Sequence, residues 1–277
     1  MAKSDSMKKE INKFLYFYRF LATVFNMKTI SIQSFKGGTG KTTATANMAY
    51  VLNKYHDKKV LVVEADAQSN ISSYFGIDKD REKGIADILV GNDVDIYSLV
   101  KKTRYDNLHI ITAGLKMYVA EDYVKSNKNP LVLKKALIKL AKEYDYCLID
   151  NAPAINTISA VTMLASDEII IPVCLDLFSI EGLKIMIEQI QKVKRANQAL
   201  KIRGIFINRW QNNNAKHQAK DYLEKMFKEQ YIFKAKIRES QHIANSTFTG
   251  RTVIDLNCRF GVTIDYKNLV NEYLKLK

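Results

Sequence analysis

Proline, cysteine and histidine are all scarce in this chain of 277 residues, and each scarcity excludes a class of protein. With 3 prolines and 47% hydrophobic residues, the chain does not have the composition of a disordered protein. Its 3 cysteines are scattered and form no C-x-x-C pair, which favours a reducing cytoplasm over a disulfide-stabilised fold. Its 4 histidines have no cysteine or carboxylate at zinc-ligand spacing, and we predict no zinc site.

Long apolar runs are also missing. No run reaches the roughly 18 residues that a membrane-spanning helix needs, so no such helix is expected. The length suits one large α/β domain or two small ones, and it is ample for a sizeable core.

Acidic residues are outnumbered, since 43 lysines and arginines against 29 aspartates and glutamates give a net charge of +14. Residues 182–277 carry 19 of the basic and 8 of the acidic residues, so most of the excess lies in the last third. Many phosphate contacts from such a surface would give a salt-sensitive nucleic-acid binder. A lysine-rich surface that is merely solvated is the alternative.

The stretch 34–43 reads S-F-K-G-G-T-G-K-T-T and is typical of the phosphate-binding loop of a nucleotide hydrolase. Its glycines let the backbone turn N–H groups toward an anion at the start of the next helix. Lys41 can reach the β- and γ-phosphates, and the Thr42 hydroxyl can bind Mg²⁺. A strand pattern over 29–33 and a helix pattern over 42–53 flank the loop, which a chance glycine-rich turn would not need. The predicted nucleotide-binding residues here are Lys36, Gly37, Gly38, Thr39, Gly40, Lys41, Thr42 and Thr43.

The loop departs from the common G-x-x-x-x-G-K-[ST] pattern, because Phe35 stands where the first glycine would be and Lys36 follows it. The resulting K-G-G-T-G-K-T resembles the deviant Walker A loop of the ParA/MinD family of ATPases. The resemblance implies ATP and Mg²⁺ as ligands. It also implies a homodimer closed around ATP, in which Lys36 of each chain reaches the partner's nucleotide. Lys36 and Lys41 are accordingly predicted to be catalytic.

The apolar run 59–66 ends in Asp66 and continues A-Q-S-N. This resembles the family motif D-x-D-P-Q-x-N, with Glu64 in place of the first aspartate and Ala67 in place of the proline. The resemblance implies that Asp66 orients or activates the attacking water. A carboxylate at the carboxyl end of a parallel strand also points into the ligand crevice. An N-cap for a helix over 69–75 is the alternative role, compatible with the first.

The run 144–150 ends in Asp150 and has the Walker B pattern, in which the carboxylate holds Mg²⁺, usually through water. The family norm is D-x-P-P; Ala152 replaces the first proline here and Pro153 remains. A plain helix cap is the alternative role for Asp150. The predicted metal-binding residues are Thr42, Asp66 and Asp150.

The strand pattern 202–208 ends in Asn208, where the resemblance implies a contact to adenine. Gln211 occupies the position at which a guanine-reading N-K-x-D motif has its aspartate. The stretch 237–253 is loosely similar to the family's I-P-R-x-x-x-x-x-x-A-x-x-x-G-x-P-[IV] block. Basic residues in and before it are candidate contacts to the DNA backbone, which require charge and no reading of bases, against a solvated surface as the alternative. They are Lys234, Lys236, Arg238 and Arg251.

Strand and helix patterns alternate along the chain. They predict an open, mostly parallel twisted sheet with helices on both faces, the P-loop NTPase arrangement, over residues 27–277. Other predicted helices span 84–91, 130–143, 157–165, 181–196 and 265–277, and other predicted strands span 108–112 and 168–173.

Residues 1–26 precede the first strand as a predicted helical extension, with apolar side chains on one helical face. Arg19 interrupts it and no small-residue cleavage site follows, which argues against a signal peptide. It could pack on the domain or on a dimer partner, lie on a membrane surface, or be a leader before a second possible start at Met27. The face comprises Ile11, Phe14, Leu15, Tyr18, Leu21, Ala22 and Phe25.

Together, the residues and the resemblance predict a cytoplasmic, nucleoid-associated DNA-partition ATPase. As an ATP dimer it would bind DNA non-specifically, and hydrolysis stimulated by a ParB-like centromere-binding protein would release it. A MinD-like membrane-cycling ATPase is the alternative, although the final Y-L-K-L-K has little apolar surface for a membrane. A relative of the nitrogenase iron protein would need a cysteine pair for its cluster. A DNA-binding module without enzymatic activity would not need Lys41, Thr42, Asp66 and Asp150.

Overall fold

A computed structural model describes residues 27–77, 83–127 and 129–276 of the chain. One seven-stranded sheet forms its centre, and neighbouring strands are parallel apart from one antiparallel pair at an edge. The strands are β1 (Lys28–Ile32), β2 (Val60–Ala65), β3 (Lys101–Lys102), β4 (Leu108–Ile111), β5 (Tyr146–Asn151), β6 (Glu168–Cys174) and β7 (Lys201–Asn208). Their spatial order is β3-β4-β2-β5-β1-β6-β7, with β3 antiparallel to β4.

Helices connect the parallel strands, as parallel pairing requires. They are α1 (Lys41–His56), α2 (Ile71–Tyr74), α3 (Ile85–Leu89), α4 (Met117–Asn127), α5 (Val132–Lys139), α6 (Thr157–Ala165), α7 (Leu177–Lys194), α8 (Asn214–Met226), α9 (Gln241–Thr249), α10 (Val253–Leu256) and α11 (Gly261–Lys275), and a 3-10 turn covers Ile96–Leu99.

Side chains of the strands alternate between the two faces of the sheet and form a core on each. On one face, Ile30 and Phe206 pack with apolar residues of α1, α2, α10 and α11. On the other face, Leu61 and Ile149 pack under α3, α4, α5 and α6, and Ile171 packs under α7 and α8. The predicted open, mostly parallel sheet with helices on both faces is therefore confirmed.

The parallel arrangement brings the predicted site residues to one edge of the sheet. Ile32 at the end of β1 and Glu64 near the end of β2 are both in register with Asp150 on β5. Cys174 at the end of β6 is in register with Asn208 on β7. The segments that follow the central strands therefore meet at the carboxyl edge, where ligands of such sheets bind.

Several helix bounds differ from the predictions. α7 begins at Leu177, four residues before its predicted start, because Asp176 caps it by accepting a hydrogen bond from the Ser179 N–H group. The helix predicted over 130–143 ends already at Lys139, since the chain turns after Leu140 toward β5. α11 begins at Gly261, ahead of the predicted 265. The helices α4, α8 and α9 lie where the sequence patterns predict none.

The predicted helix within residues 1–26 lies outside the described residues, and the boundary at residue 27 stays a prediction. Among the helices that are described, none is long and apolar enough to cross a membrane.

Candidate active site

The loop between β1 and α1 curls through two residues in the left-handed region, Gly38 with φ 74° and Gly40 with φ 89°. Gly40 is also the N-cap of α1 and makes no side-chain capping bond. The first N–H groups of an α-helix have no partner within the helix, so at this end they can bind an anion. The geometry is that of a phosphate-binding loop.

Asn208 holds this loop from the end of β7. Its amide nitrogen donates a 2.7 Å hydrogen bond to the carbonyl oxygen of Thr39. A Cβ added at Gly40 would overlap that amide nitrogen, so Gly40 is required for the close approach as well as for its backbone angle. The side-chain amide oxygen of Asn208, Oδ1, is buried and has no hydrogen-bond partner among the described residues, so it can accept a hydrogen bond from a ligand. The predicted adenine contact stays a prediction.

Lys41 is buried at the first turn of α1, with 6% of its surface exposed. Its ammonium group donates a 3.4 Å hydrogen bond to the carbonyl oxygen of Lys36. Burial lowers the pKa of Lys41, and the carboxylates of Asp150 and Asp66 oppose that fall. The ammonium group therefore lies within the field of Asp66, the predicted catalytic acid, and of Asp150, a predicted metal-binding residue.

Asp150 is 1% exposed, and neither carboxylate oxygen has a hydrogen-bond partner within the described ranges. Burial raises the pKa of Asp150 to about 8, and the carboxylates of Glu64 and Asp66 add to the rise. The Thr42 hydroxyl and the Lys41 ammonium group oppose it. A buried carboxylate without a partner is costly, and a bound cation would offset that cost.

These residues fit a magnesium ion, because Mg²⁺ binds oxygen ligands and Asp150 offers unpaired carboxylate oxygens beside the Thr42 hydroxyl. In the described parts of the chain, no three His, Cys, Asp or Glu side chains cluster as they would around a metal ion. A magnesium ion here would therefore take its remaining ligands from nucleotide phosphates and water, as it commonly does.

Asp66 is half-buried at the end of β2 and accepts a 3.0 Å hydrogen bond from the Gln68 N–H group. Its alternative role as the N-cap of a helix over 69–75 is wrong. The N-cap of α2 is Asn70, and the N–H groups of Ile71 and Ser72 donate to Glu64 Oε1 at 3.0 and 3.2 Å. Asp66 therefore faces the site. Its role with the attacking water and with the metal stays a prediction.

Glu64 is the acid that holds the Asp66 loop in place. Besides capping α2, it accepts with its second oxygen a 3.3 Å hydrogen bond from the Ala113 N–H group after β4. Burial raises the pKa of Glu64, and these N–H donors oppose the rise. In the sequence, Glu64 stands out only as a departure from the motif. The sequence feature that indicates a structural role for Glu64 is its position inside an apolar strand run.

The second lysine of the loop, Lys36, points away from the first. Its ammonium group lies 2.8 Å from Asp176 Oδ1, and 42% of its side chain is exposed. It also lies 5.7 Å from the ring centre of Phe178, a residue that is 72% exposed. Burial alone would raise the pKa of Asp176, but the hydrogen bonds from Lys36 and Ser179 hold that pKa below its usual value. Asp176 is not among the predicted site residues, because it is 140 residues from Lys36 in the chain.

Two cavities flank this edge. One of about 350 Å³ adjoins the loop and is lined by Lys36, Gly38, Asp176 and Arg209, among others. One of about 220 Å³ lies beside Asp66, under α4 and the start of α6. Arg209 directly follows Asn208 and has a φ of 52°, a conformation that few residues other than glycine adopt. Its side chain is exposed at the first cavity, which has room for part of a nucleotide.

The predicted DNA contacts lie on the segment beside β7 and directly before α10. Lys234, Lys236 and Arg238 alternate along an extended segment beside β7 and face away from the buried Phe233 and Ile237. Lys236 lies 4.4 Å from the centre of the Trp210 ring.

Arg238 binds Asp265 through two hydrogen bonds of 2.7 and 2.8 Å, and Arg251 binds Asp255 at 2.8 Å. Both arginines are thus engaged within the chain, and their contact with DNA stays a prediction.

Comparisons with known proteins agree with this architecture. A family model described as an AAA domain matches residues 27–202. The sporulation initiation inhibitor protein Soj of Bacillus subtilis is 32% identical over 231 residues, which cover 82% of this chain and 90% of Soj. The chromosome partitioning protein ParA of Myxococcus xanthus is 29% identical over 251 residues, which cover 90% of this chain and 88% of the Myxococcus protein. The structure of a Cyanothece McdA variant in complex with ATP has a TM-score of 0.80 and 26% identity, covering 91% of this chain and 98% of McdA.

We expect Asp150→Asn to stabilise the nucleotide-free protein increasingly as the pH rises from about 4 to about 8. In that range native Asp150, with its pKa near 8, keeps a proton that the unfolded chain has lost, so the wild type loses stability with each pH unit. Asparagine carries no such penalty. Urea unfolding in EDTA at pH 5, 7 and 9 measures the difference, which should reach a few kcal/mol in order of magnitude at pH 9. Asp122→Asn, at an exposed position of α4, is the matched control. A pH-independent difference would contradict the burial argument.

We expect Gly40→Ala to weaken nucleotide binding more than Gly38→Ala does. Both residues have positive φ, so both substitutions add backbone strain of about 1–3 kcal/mol. A Cβ at Gly38 meets nothing within 4 Å, whereas one at Gly40 overlaps the Asn208 amide and breaks its bond to Thr39. Titration with a fluorescent ATP analogue, beside urea unfolding, separates the two effects. Equal losses of affinity would show that Asn208 does not hold the loop.

Proposed function

The chain belongs to the ParA family of P-loop ATPases, and we propose that it is a DNA-partition ATPase. In this proposal, ATP and Mg²⁺ close a homodimer, and the dimer binds DNA without sequence preference in the cytoplasm at the nucleoid. Hydrolysis then releases the dimer from DNA. A ParB-like centromere-binding protein stimulates that hydrolysis.

The observation that carries the proposal is the divergent placement of two lysines in one loop. Lys41 is buried within the field of Asp66 and Asp150, as a lysine that binds the chain's own nucleotide would be. Lys36 lies at the surface and is tied to Asp176 through a half-exposed ion pair. An ion pair this exposed contributes little free energy, about 1 kcal/mol or less. Lys36 can therefore leave Asp176 at a small free-energy cost and reach a phosphate of the nucleotide bound to a second chain.

Each residue of the site then has a role in phosphoryl transfer, which proceeds by positioning and charge stabilisation. The loop N–H groups and Lys41 would hold the phosphates, and Thr42 and Asp150 would hold the metal ion. Bound Mg²⁺ would neutralise charge on the phosphate oxygens. Asp66 orients the water, since its loop is fixed by Glu64 at the carboxyl edge. Asn208 keeps the loop closed around the phosphates.

The basic last third supplies the proposed DNA surface. Residues 182–277 carry 19 of the chain's 43 basic residues. On the segment beside β7, Lys234 is exposed and Lys236 is half-buried, with its ammonium group over the Trp210 ring. Phosphate contacts of this kind fix position without reading sequence. Arg238 and Arg251 would join them only by exchanging a carboxylate partner for a phosphate, because each is already paired.

A MinD-like membrane cycle is the competing function. It would need an amphipathic segment whose apolar face is available to lipid. The last described helix does not provide one, since Tyr266, Leu269, Val270 and Tyr273 of α11 are buried in the core. Among the described residues, the burial of the apolar face of α11 therefore supports DNA over lipid as the partner of the basic C-terminal third.

We expect the protein to bind random duplex DNA with ATP, and much less with ADP or without nucleotide. Binding should fall steeply between 50 and 200 mM salt, by about tenfold or more, because each phosphate contact releases counterions. Lys36→Ala should abolish the ATP dependence, since it removes the cation that crosses to the partner. Lys54→Ala, at an exposed position near the end of α1, should bind normally. Fluorescence anisotropy across a salt series makes the measurement.

Two outcomes would contradict this proposal. DNA binding that is unaffected by nucleotide would separate the basic surface from the ATPase cycle. No binding in any nucleotide state, together with co-sedimentation with anionic liposomes in ATP, would replace it by the membrane cycle.

We expect Asp176→Asn to promote ATP-dependent dimerisation. Asparagine keeps the N-cap of α7 but removes the charge that retains Lys36. With about 0.5–1 kcal/mol for each pair and two pairs in a dimer, the dimerisation midpoint should fall about 5- to 30-fold in protein concentration. Light scattering after size exclusion, with a non-hydrolysable ATP analogue, measures it. Glu181→Gln removes an exposed charge from the same helix as a control, and a similar shift there would show a general charge effect.

A further inference from the structure

Arg209, directly after the carboxyl end of β7, has a strained backbone. Its φ of 52° lies in the left-handed region, which a residue with a Cβ adopts only at an energetic cost. In the described ranges, the other residues besides glycine with positive φ are Asp57, Ser69 and Asn107. All three are short polar residues that can hydrogen-bond locally, whereas a long arginine side chain lacks that compensation. Strained residues of this kind concentrate at ligand sites.

The conformation of Arg209 is imposed by the residues on either side of it. Before it, Asn208 donates the 2.7 Å hydrogen bond to Thr39 of the phosphate-binding loop. After it, the Trp210 N–H group donates a 2.9 Å hydrogen bond to the carbonyl oxygen of Ile237. A glycine between these two anchors would adopt the same backbone without strain. The arginine at this position therefore indicates a use for its side chain.

The Arg209 side chain is exposed in the cavity of about 350 Å³ beside the loop. Within the described parts of the chain, its guanidinium group has no hydrogen bond or ion pair. The two acids that line the same cavity are engaged elsewhere, since Asp176 binds Lys36 and Glu239 accepts a hydrogen bond from the Gln211 side chain. The guanidinium group is therefore available to a ligand that enters the cavity.

The order of the strands indicates which part of a nucleotide meets Arg209. Burial raises the pKa of the Cys174 thiol, and the Arg209 guanidinium group is the first of the nearby charges that oppose the rise, which places it near the ends of β6 and β7. Asp150 lies on β5, on the other side of β1 and about three strand spacings, roughly 14 Å, from β7. With the terminal phosphates near Lys41 and Asp150, the larger of the two cavities at this edge is left for the nucleoside part.

We propose that Arg209 binds the nucleoside part of the nucleotide held by its own chain, with its planar guanidinium group against the face of the purine base. Guanidinium groups stack on aromatic rings, and their in-plane N–H groups stay free to donate to nearby acceptors. The loop and Lys41 keep the phosphates, so different residues bind the two ends of the ligand. This role rests on the nucleotide-binding step of the proposed function and requires neither the dimer nor DNA.

Isothermal titration calorimetry of the full chain in Mg²⁺, with ADP and separately with tripolyphosphate, tests this role. Arg209→Ala should weaken ADP binding about tenfold, the effect of losing one cation–π contact, and should leave tripolyphosphate binding unchanged. Arg195→Ala, at an exposed arginine that ends α7, should change neither affinity. Unchanged ADP binding, or an equal loss of tripolyphosphate affinity, would overturn the proposal and leave the ATPase function intact. A wild type that binds neither ligand would instead remove the proposed function, and this role with it.

Paired glycine and alanine variants separate the Arg209 side chain from its backbone. Arg209→Gly should have a higher urea midpoint than Arg209→Ala, because glycine relieves the positive φ. At Arg195, where φ is −63°, the order should be reversed. Both Arg209 variants should lose ADP affinity alike. Full ADP affinity in Arg209→Gly, or a lower urea midpoint for it than for Arg209→Ala, would contradict a strained backbone that is kept for its side chain.

Discussion

The rest of this site depends on a buried carboxylate that has no hydrogen-bond partner among the described residues. Asp150 lies at the end of a central strand, where the sheet removes it from water and neither oxygen has a hydrogen-bond partner among the described residues. A group in that position is stable as an ion only when positive charge is close by. Lys41 supplies part of that charge and lies at the N-terminus of α1, directly after the phosphate-binding loop. The buried carboxylate of Asp150 is a physical reason for this part of the fold to favour a bound cation.

The surrounding residues fall into a fixed group and an exchangeable group. Glu64 binds three N–H groups from two segments, and Asn208 binds the loop from β7, so both are held by buried hydrogen bonds. Lys36 and Asp176 are joined at the surface, where an ion pair is weak and solvent competes for it. A site built this way keeps its own nucleotide cradle rigid. In the proposed cycle, the contact that would change partners is the one that costs least to break.

Residues of the candidate site could be predicted from the sequence where the chemistry is local in the chain. The loop from Lys36 to Thr43 and the strand-ending Asp66 and Asp150 carry their meaning in short motifs, and apolar strand runs fix their place at the carboxyl edge. The Lys36–Asp176 pair joins segments that are far apart in sequence, so no motif contains it. In the sequence, Glu64 is recognisable only as a departure from a motif. In the structure, its buried carboxylate caps α2.

The helices show the same division. α1 and α6 follow plain apolar periodicity and were predicted near their true bounds. α4 has buried Met117, Ala120 and Val124 but also exposed Tyr118 and Val119, and apolar residues on both sides conceal the helical pattern. Arg251 and Asp255 are four residues apart in the chain, a spacing that could have revealed their pairing, although Arg251 precedes the N-cap of α10. The partner of Arg238 lies on α11 and could not be read from its neighbours.

The two outer strands have a consequence for how copies of this chain can assemble. At one side of the sheet, β3 is two residues long and both are lysines. At the other, the segment around Ile232 and Ile237 is hydrogen-bonded along β7 and occupies its free main-chain groups. Short, lysine-bearing or covered margins resist the addition of further strands. Growth into continuous cross-β ribbons is thereby disfavoured, so copies of this chain are expected to meet through faces other than the margins of the sheet.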